Sequence, residues 1–393
     1  MVEMAKAINR LGTESAFEVL ARAHRLEAEG KEIINLGIGQ PDFKTPDHIV
    51  EAAVKALRDG HHGYTSANGI IECREAVAEN IAKNRGVKVG VDQIMIVPGG
   101  KVTMFFAILM FGEPGTEVIY PNPGFPIYES VINFSGAKAV PMALHEMNNF
   151  SFSADEVLGL ITPDTRLLII NSPANPTGGY VEREEMDRLV LGLEDYPQVM
   201  VLSDEIYARI LYDDRRHVSL IEYESLRDRL ILLDGWSKTY AMTGWRLGYG
   251  VWPKDLIKPA TRFSINCHSC VNTSAQYAGI AALQGPQNSV DEMVEAFDAR
   301  RRVIMRELNQ VPGFSCVKPT GAFYAFPNIV KTGVSASELQ DRLLGEAGVA
   351  VIAGTSFGTQ GEGYLRFSYA NSTENILIAI ERIKACLQNS RTT

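Results

Sequence analysis

Basic residues are not in excess in this sequence, because 38 lysines and arginines stand against 47 aspartates and glutamates, a formal net charge of −9. Nucleic acids and acidic membranes both require a basic face, so this balance argues against either as a partner. No segment has the roughly 20 apolar residues of a membrane span, and the first residues, MVEMAKAINRLGTESAF, contain no apolar signal-peptide core. We therefore expect a cytoplasmic protein with no membrane or nucleic-acid partner.

Cysteine is also scarce, and its five residues are an odd number scattered along the chain: Cys73, Cys267, Cys270, Cys316 and Cys386. This distribution does not fit the disulfide framework of a small secreted protein. Cys267 and Cys270 form a CxxC pair, but no second pair follows that would complete a metal site. We expect reduced thiols with structural roles and no metal centre.

The length of 393 residues exceeds what one ordinary core accommodates, so two domains are expected. A helical pattern over 14–29, closed by Gly30, precedes a second helix at about 46–59. Apolar runs of strand length then alternate with helix-like stretches, at 94–97, 117–120, 138–141, 166–170, 199–202, 230–233 and 247–251. This alternation predicts an α/β fold over 46–286, a large domain with a mostly parallel sheet flanked by helices.

After residue 286 the pattern changes. A long charged helix at about 288–309, a few short strands and a terminal helix follow, with the strands around 314–326 and 349–369. These features predict a smaller α+β domain. We expect residues 1–45 to join 287–393 in it and to supply an N-terminal arm.

Polar residues follow several of the predicted strands, where ligands bind in parallel sheets. Lys238 follows one strand, Asp204 a second and Asn175 a third, and a helix begins after the turn at Gly100. Taken singly, each has an ordinary explanation: a surface lysine, a helix-capping aspartate, a turn. The helix amides after Gly100 could also hold a phosphate.

Taken together, the motifs are specific. In chain order they are PGGK, PNPGFPIYE, NSPANPTGG, SDEIYARI, SKTYAMTGWRLGY and GYLRFSY. This set resembles the class I/II aminotransferases of the fold-type I pyridoxal-phosphate family, and the resemblance extends from NLGIGQPDF to GYLRFSYANS. It implies the fold-type I transferase fold, pyridoxal 5'-phosphate as the cofactor, and transfer of amino groups between L-amino acids and 2-oxo acids by a ping-pong mechanism.

The resemblance assigns catalytic roles to three residues. Lys238 matches the lysine that forms a Schiff base with the cofactor and then moves a proton at the substrate α-carbon, work that suits an amine whose pKa shifts on burial. Asp204 matches the carboxylate that pairs with the pyridine nitrogen. Tyr207, with Asn175, matches the hydrogen-bond donors to the cofactor's phenolic oxygen.

The remaining cofactor contacts are implied in the same way. Phe125 matches the aromatic residue that stacks on the cofactor ring. The phosphate would be held by Gly100, Lys101, Ser237 and Arg246. Many relatives place a serine where this chain has Gly235, so Ser237 departs from the usual pattern. Tyr64 matches a phosphate contact that comes from the other subunit, which implies a homodimer with shared sites.

Substrate contacts rest on four residues beside Asn175. Arg366 matches the arginine that clamps the α-carboxylate by two parallel hydrogen bonds, helped by the Gly39 amide. The Lys101 side chain and Ser15 match contacts to a distal carboxylate, which favours aspartate or glutamate.

Two alternatives stay open for the reaction. Apolar residues near the same region (Phe17, Phe105 and Phe106) would instead favour alanine, methionine or aromatic donors. The same set of residues also serves lyases and synthases of this fold, because the cofactor performs the electron chemistry. A purely regulatory role is disfavoured, since Lys238, Asp204 and Arg366 are all present.

Overall fold

A computed structural model of the chain describes residues 3–389. Twelve α-helices occur in this part: α1 Ser15–Ala28, α2 Asp47–Arg58, α3 Ile71–Arg85, α4 Lys101–Phe111, α5 Ile127–Ser135, α6 Ala154–Gly159, α7 Arg183–Gly192, α8 Ile257–Cys267, α9 Thr273–Gln284, α10 Asn288–Leu308, α11 Ala336–Gly345 and α12 Thr373–Asn389. The described strands are β1 Ile34–Asn35, β2 Ile94–Val97, β3 Glu117–Asn122, β4 Lys138–Ala143, β5 Thr165–Asn171, β6 Met200–Asp204, β7 Leu230–Gly235, β8 Gly248–Val251, β9 Tyr324–Ala325, β10 Val349–Ala350, β11 Ile352–Ala353 and β12 Leu365–Ser368.

Seven strands form the main sheet, in the order β2-β8-β7-β6-β5-β3-β4. Neighbours from β7 through to β4 pair in parallel, whereas β8 runs antiparallel to both β2 and β7. Each of the seven apolar runs in the sequence forms one of these strands. The predicted α/β fold with a mostly parallel sheet is therefore confirmed.

Both faces of this sheet are buried except along the edge strand β4, which explains why the other strands are mostly apolar rather than alternating with polar residues. In β2, Ile94 and Ile96 point into one hydrophobic cluster, which also receives Ala278 of α9. Met95 and Val97 point into another, with Phe106 of α4. The helices before and after each strand cover the two faces, so the sheet forms the middle layer of three.

Smaller sheets form beside the main one. Strands β9, β11 and β12 form an antiparallel sheet in the order β11-β12-β9, and β1 pairs in parallel with β10. A third cluster of buried residues lies here, including Phe297 of α10, Phe367 of β12 and Ile380 of α12. No helix among residues 3–389 combines the length and the hydrophobicity needed to cross a membrane.

Candidate active site

A cavity of about 560 Å³ lies at the carboxyl ends of the parallel strands, between the main sheet and the small sheet of β9, β11 and β12. Its wall includes the starts of α1 and α4, the ends of β5 and β6, and the segments after β3 and β7. Eleven of the residues predicted from the sequence line it: Gly39, Gly100, Lys101, Phe125, Asn175, Asp204, Tyr207, Ser237, Lys238, Arg246 and Arg366. Parallel strands end at one edge of a sheet, so distant motifs meet there.

Lys238 follows β7 and is partly buried in the cavity wall. Its Nζ donates a hydrogen bond of 2.5 Å to the main-chain oxygen of Gly39. Burial, with the nearby Arg366 guanidinium, lowers the pKa of Lys238 to about 8. A lysine with such a pKa has a substantial neutral fraction near neutral pH, which a nucleophilic amine requires.

Asp204 is the last residue of β6 and is buried. Tyr128 donates a hydrogen bond of 2.7 Å to its Oδ2, and the Ile206 amide lies 3.3 Å from its Oδ1. Burial raises the pKa of Asp204 to about 6, although the Tyr128 hydroxyl opposes the shift. No cationic side chain of residues 3–389 forms an ion pair with it, so this carboxylate is suited to a cation brought by a ligand.

Arg366 of β12 is buried, with 3% of its surface exposed. Its guanidinium carbon lies 4.7 Å from the ring centroids of both Tyr324 and Phe357. The guanidinium donates to the Asn175 Oδ1 at 2.9 Å and also to the Gly37 carbonyl. Its Nε is buried and has no hydrogen-bond partner within the described chain. A guanidinium held in one plane, with a donor left over, is suited to bind a carboxylate.

Two groups of hydrogen bonds fix the positions of the remaining polar side chains of the cavity. The hydroxyls of Tyr207 and Tyr324 lie 2.7 Å apart, and both side chains are buried. Asn171 accepts a hydrogen bond from the Asn175 amide at 3.0 Å and donates to the main-chain oxygen of Asp204 at 3.0 Å. These links hold the ends of β5 and β6 and the β9 strand against one another.

The groups at the start of α4 have the chemistry of an anion-binding site. Gly100 precedes the helix, and no side chain in the described residues caps it. Arg246 donates to the Thr243 carbonyl at 2.5 Å and forms no ion pair with any described residue. Gly99 has a φ of 92°, a left-handed conformation that favours glycine, and without a Cβ it leaves room for the Arg246 guanidinium. Helix amides, an arginine without a carboxylate partner and the buried Ser237 fit a phosphate group.

Two predicted residues lie outside the cavity. Tyr64 is 94% exposed and lines a separate surface depression with residues such as His61 and Asn272. The structure corrects the placement of Ser15, whose hydroxyl is buried without a hydrogen-bond partner among the described residues. Glu14 and Ala16 line the cavity beside it.

Phe17 lines the cavity, as expected for an apolar wall, whereas Phe105 and Phe106 do not. Phe106 instead belongs to a buried cluster, stacked on Phe263 with ring centroids 5.2 Å apart. The aromatic residues in contact with the cavity are therefore fewer than the sequence predicts. Met104 takes part in the wall from the same helix.

The sequence analysis missed several residues of the site. Tyr128 bonds Asp204, Tyr324 bonds Tyr207, and Glu14 forms an ion pair of 2.8 Å with Lys101. Tyr128 lies inside the PNPGFPIYE motif, which could have drawn attention to it. Glu14 and Tyr324 carry no comparable local signal.

A buried charge network lies behind the cavity. Arg85 Nη2 is 2.9 Å from Glu205 Oε2 and 2.7 Å from Asp234 Oδ2, and His217 Nε2 is 2.9 Å from Glu205. Burial alone would raise the pKa of Glu205, but Arg85 and His217 together bring it down to about 2. Because Glu205 follows Asp204 and Asp234 lies in β7, the network fixes the two strands that carry the central residues of the cavity.

Comparison with known proteins agrees with this geometry. The model of the family "Aminotransferase class I and II" matches residues 31–383. An aspartate aminotransferase of Pyrococcus horikoshii is 39% identical over 376 residues, which cover 95% of this chain and 94% of the relative. Aromatic-amino-acid aminotransferase 2 of Thermococcus litoralis is 38% identical over 368 residues, which cover 93% and 94% of the two chains. The crystal structure of the aspartate aminotransferase from Rhizobium meliloti superposes with a TM-score of 0.93, at 33% identity and 99% coverage of each chain.

Proposed function

The chain belongs to the aminotransferase class I and II family, and on that premise we propose that it moves the amino group of aspartate or glutamate to a 2-oxo acid, with Lys238, Asp204 and Arg366 at the centre of the site. It is a pyridoxal-phosphate-dependent aminotransferase. The observation that carries the proposal is the convergence of these three side chains, from three separate strands or their ends, on one cavity.

The cavity has a partner for each part of the cofactor. Bound pyridoxal phosphate supplies an electron sink for the bonds at the substrate α-carbon. Asp204 would face the ring nitrogen, since a buried carboxylate without a cation favours a protonated one. Asn175 and Tyr207 would donate to the phenolic oxygen, and Phe125 would cover the ring. The phosphate would be held by Gly100, Lys101, Ser237 and Arg246.

Lys238 would carry the proton transfer. Its Nζ would accept the proton from the substrate α-carbon and later release it, and with a pKa of about 8 the group can act as a base and then as an acid. The hydrogen bond to the Gly39 carbonyl orients the amine while it is free. Burial that excludes water also keeps the proton on the lysine rather than losing it to solvent.

Arg366 would bind the substrate α-carboxylate. Its guanidinium and the Gly39 amide would supply donors, while Tyr324 and Phe357 hold the plane of the guanidinium. Asn175 accepts a hydrogen bond from Arg366 and so links this group to the cofactor side of the cavity. The α-carboxylate is then fixed relative to the reacting carbon.

The preference for a dicarboxylic donor is supported by Lys101, which lines the cavity. Relatives named aspartate aminotransferase support it too. An alternative is an alanine, methionine or aromatic donor, supported by Phe17 in the wall and by the aromatic aminotransferase of Thermococcus litoralis. A lyase or synthase has no observation of its own in its favour.

The experiment is a donor screen. Purified holoenzyme is mixed with single L-amino acids, and the absorbance band of the bound cofactor is followed in a stopped-flow instrument. Aspartate and glutamate should convert it fastest, and 2-oxoglutarate should restore it. Faster conversion by alanine, methionine or phenylalanine would favour the alternative donors, while more than one equivalent of product per bound cofactor in the absence of a 2-oxo acid would contradict amino transfer.

We also propose a homodimer in which Tyr64 completes the site of the partner subunit. Its exposure, and the fact that it does not line the cavity of its own chain, support this. Mixing Lys238→Ala with Tyr64→Ala chains tests it, because a mixed dimer with shared sites contains one native site. Activity above that of both parents is expected; no gain on mixing, or a fully active monomer by light scattering, would contradict it.

We also propose that the chain forms two domains and resides in the cytoplasm. All seven strands of the main sheet fall within 46–286, and β1 and β9–β12 fall outside it, which supports a large cofactor-binding domain and a smaller one from 1–45 and 287–393. Cys267 and Cys270 are free thiols, which supports a reducing compartment such as the cytoplasm. Limited proteolysis should cut first near residues 45 and 286.

A further inference from the structure

An ion pair built into the chain lies in the wall of the cavity. Lys101 Nζ is 2.8 Å from Glu14 Oε2, and both side chains line the cavity. The two residues are 87 positions apart, at the starts of α4 and α1. Their side chains are 43% and 20% exposed, so a ligand can reach the pair. Lys101 Nζ also lies 5.2 Å from the ring centroid of Phe125.

This pair differs from the other charges of the cavity. Six charged side chains line it: Glu14, Lys101, Asp204, Lys238, Arg246 and Arg366. In the proposed function, Arg246 meets the cofactor phosphate and Arg366 meets the substrate α-carboxylate, so each receives its counter-charge from a ligand. Lys101 receives its counter-charge from Glu14, within the chain itself. A distal carboxylate on the substrate therefore competes with the Glu14 carboxylate for the Lys101 ammonium group.

We propose that Glu14 is a specificity-determining residue that acts as an internal counter-ion. It forms the ion pair with Lys101 when the substrate side chain is uncharged, and the distal carboxylate replaces it at Lys101 when the substrate is a dicarboxylate. This inference rests on the proposed function, because a ping-pong transfer passes two different substrates through one cavity. With an uncharged side chain, Lys101 is not left as a desolvated, unpaired cation. With a dicarboxylate, one carboxylate replaces another at the same ammonium group.

The charge of Glu14 also affects the pKa values of Lys238 and Arg366. Burial lowers the pKa of both Lys238 and Arg366, and the charge of Glu14 acts in the opposite direction on both. A dicarboxylate in the cavity thus meets attraction from Lys101 and repulsion from Glu14. Selectivity is a difference between two binding free energies, and Glu14 reduces the difference between charged and uncharged side chains.

The test uses two unreactive ligands of equal length, succinate and butyrate, which differ only in the distal carboxylate. Their dissociation constants are measured by calorimetry on the holoenzyme of the wild type, Glu14→Gln and Glu18→Gln. Glu18 is exposed on the same helix, so its variant is the matched control. Glu14→Gln keeps the shape of the side chain and removes its charge.

Glu14→Gln should bind succinate about 5- to 20-fold more tightly, as expected when a competing charge beside an ion pair is removed. Butyrate affinity should stay near the wild type or fall, because Lys101 then lacks its counter-ion, and both constants of Glu18→Gln should stay near the wild type. An equal change for both ligands would show that Glu14 only positions α1, and no change or weaker succinate binding would also overturn the proposal. Because binding requires no turnover, a wild type that transfers no amino group fails the proposed function separately from this result.

Discussion

The guanidinium of Arg366 donates a hydrogen bond of 2.9 Å to the side-chain oxygen of Asn175, which joins β12 of the small three-stranded sheet to a residue that follows β5 of the main sheet. The two residues are 191 positions apart. Both sheets must therefore be in place before the carboxylate site exists. Any substitution that lets the Arg366 guanidinium move away from Tyr324 and Phe357 should weaken substrate binding more than cofactor binding.

Replacing Arg366 with lysine should lower kcat/KM for the amino donor by about 100-fold or more, because a lysine cannot make the two parallel bonds and a buried charged contact is lost. The absorbance of the bound cofactor should stay near that of the wild type. Steady-state kinetics and spectra of Arg366→Lys and of the exposed control Arg306→Lys provide the measurement. A loss of cofactor with unchanged kcat/KM in the remaining holoenzyme would contradict this role.

The seven strands of the main sheet were predictable because strands buried on both faces give continuous apolar runs, as at Ile94–Val97. Lys238, Asp204 and Arg366 were predictable because each lies in a specific local motif. Contacts between residues far apart in the chain give no comparable pattern in the sequence. The bond between Tyr207 and Tyr324 spans 117 positions, and no periodicity in either segment points to the other.

The start of α1 shows how a small error moves a residue out of a site. Glu14 has extended backbone dihedral angles and immediately precedes α1, whereas Ser15 is the first residue of the helix. Glu14 lines the cavity and Ser15 does not, and the Ser15 hydroxyl is buried. The resemblance points to Ser15, and nothing in the local sequence indicates that the neighbouring side chain lines the cavity instead.

Lys238 should be the residue that is covalently linked to the cofactor. After reduction of the holoenzyme with borohydride and digestion, mass spectrometry should find the pyridoxyl label on the peptide that contains Lys238. Lys238→Ala should lose this label and about 10³-fold or more of its activity, since both the link and the proton transfer are lost. The exposed Lys254→Ala serves as the control. A label on Lys101 would refute the assignment.

Asp204→Asn should make the protein without cofactor more stable at pH 8. Burial raises the pKa of Asp204 to about 6 in the folded chain, above the value near 4 of an unfolded aspartate. A raised pKa means that the stability contribution is complete below about pH 4 and is lost as the pH rises through about 6. Removing the charge should therefore add about 2–3 kcal/mol at pH 8 and nothing at pH 4.

Thermal unfolding of both proteins without cofactor, between pH 4 and 8, measures this difference, with the exposed Asp228→Asn as the control. Tyr128 can accept a hydrogen bond from the new amide, so the local packing is kept. With cofactor bound, the wild type should be more stable than Asp204→Asn, since the amide cannot neutralise a protonated ring nitrogen. A pH-independent difference between Asp204→Asn and the wild type would contradict the assigned pKa.

Arg85→Met should destabilise the protein by about 3–5 kcal/mol, because it leaves Asp234 buried without a cation and Glu205 with His217 alone. Urea unfolding at pH 7.5 measures the change, and the exposed Arg58→Met should have little effect. Cofactor affinity should fall as well, because β6 and β7 carry Asp204 and precede Lys238. If the network stabilises by charge balance, adding Glu205→Gln and Asp234→Asn to Arg85→Met should restore part of the lost stability; a further loss would mean that shape and packing dominate there instead.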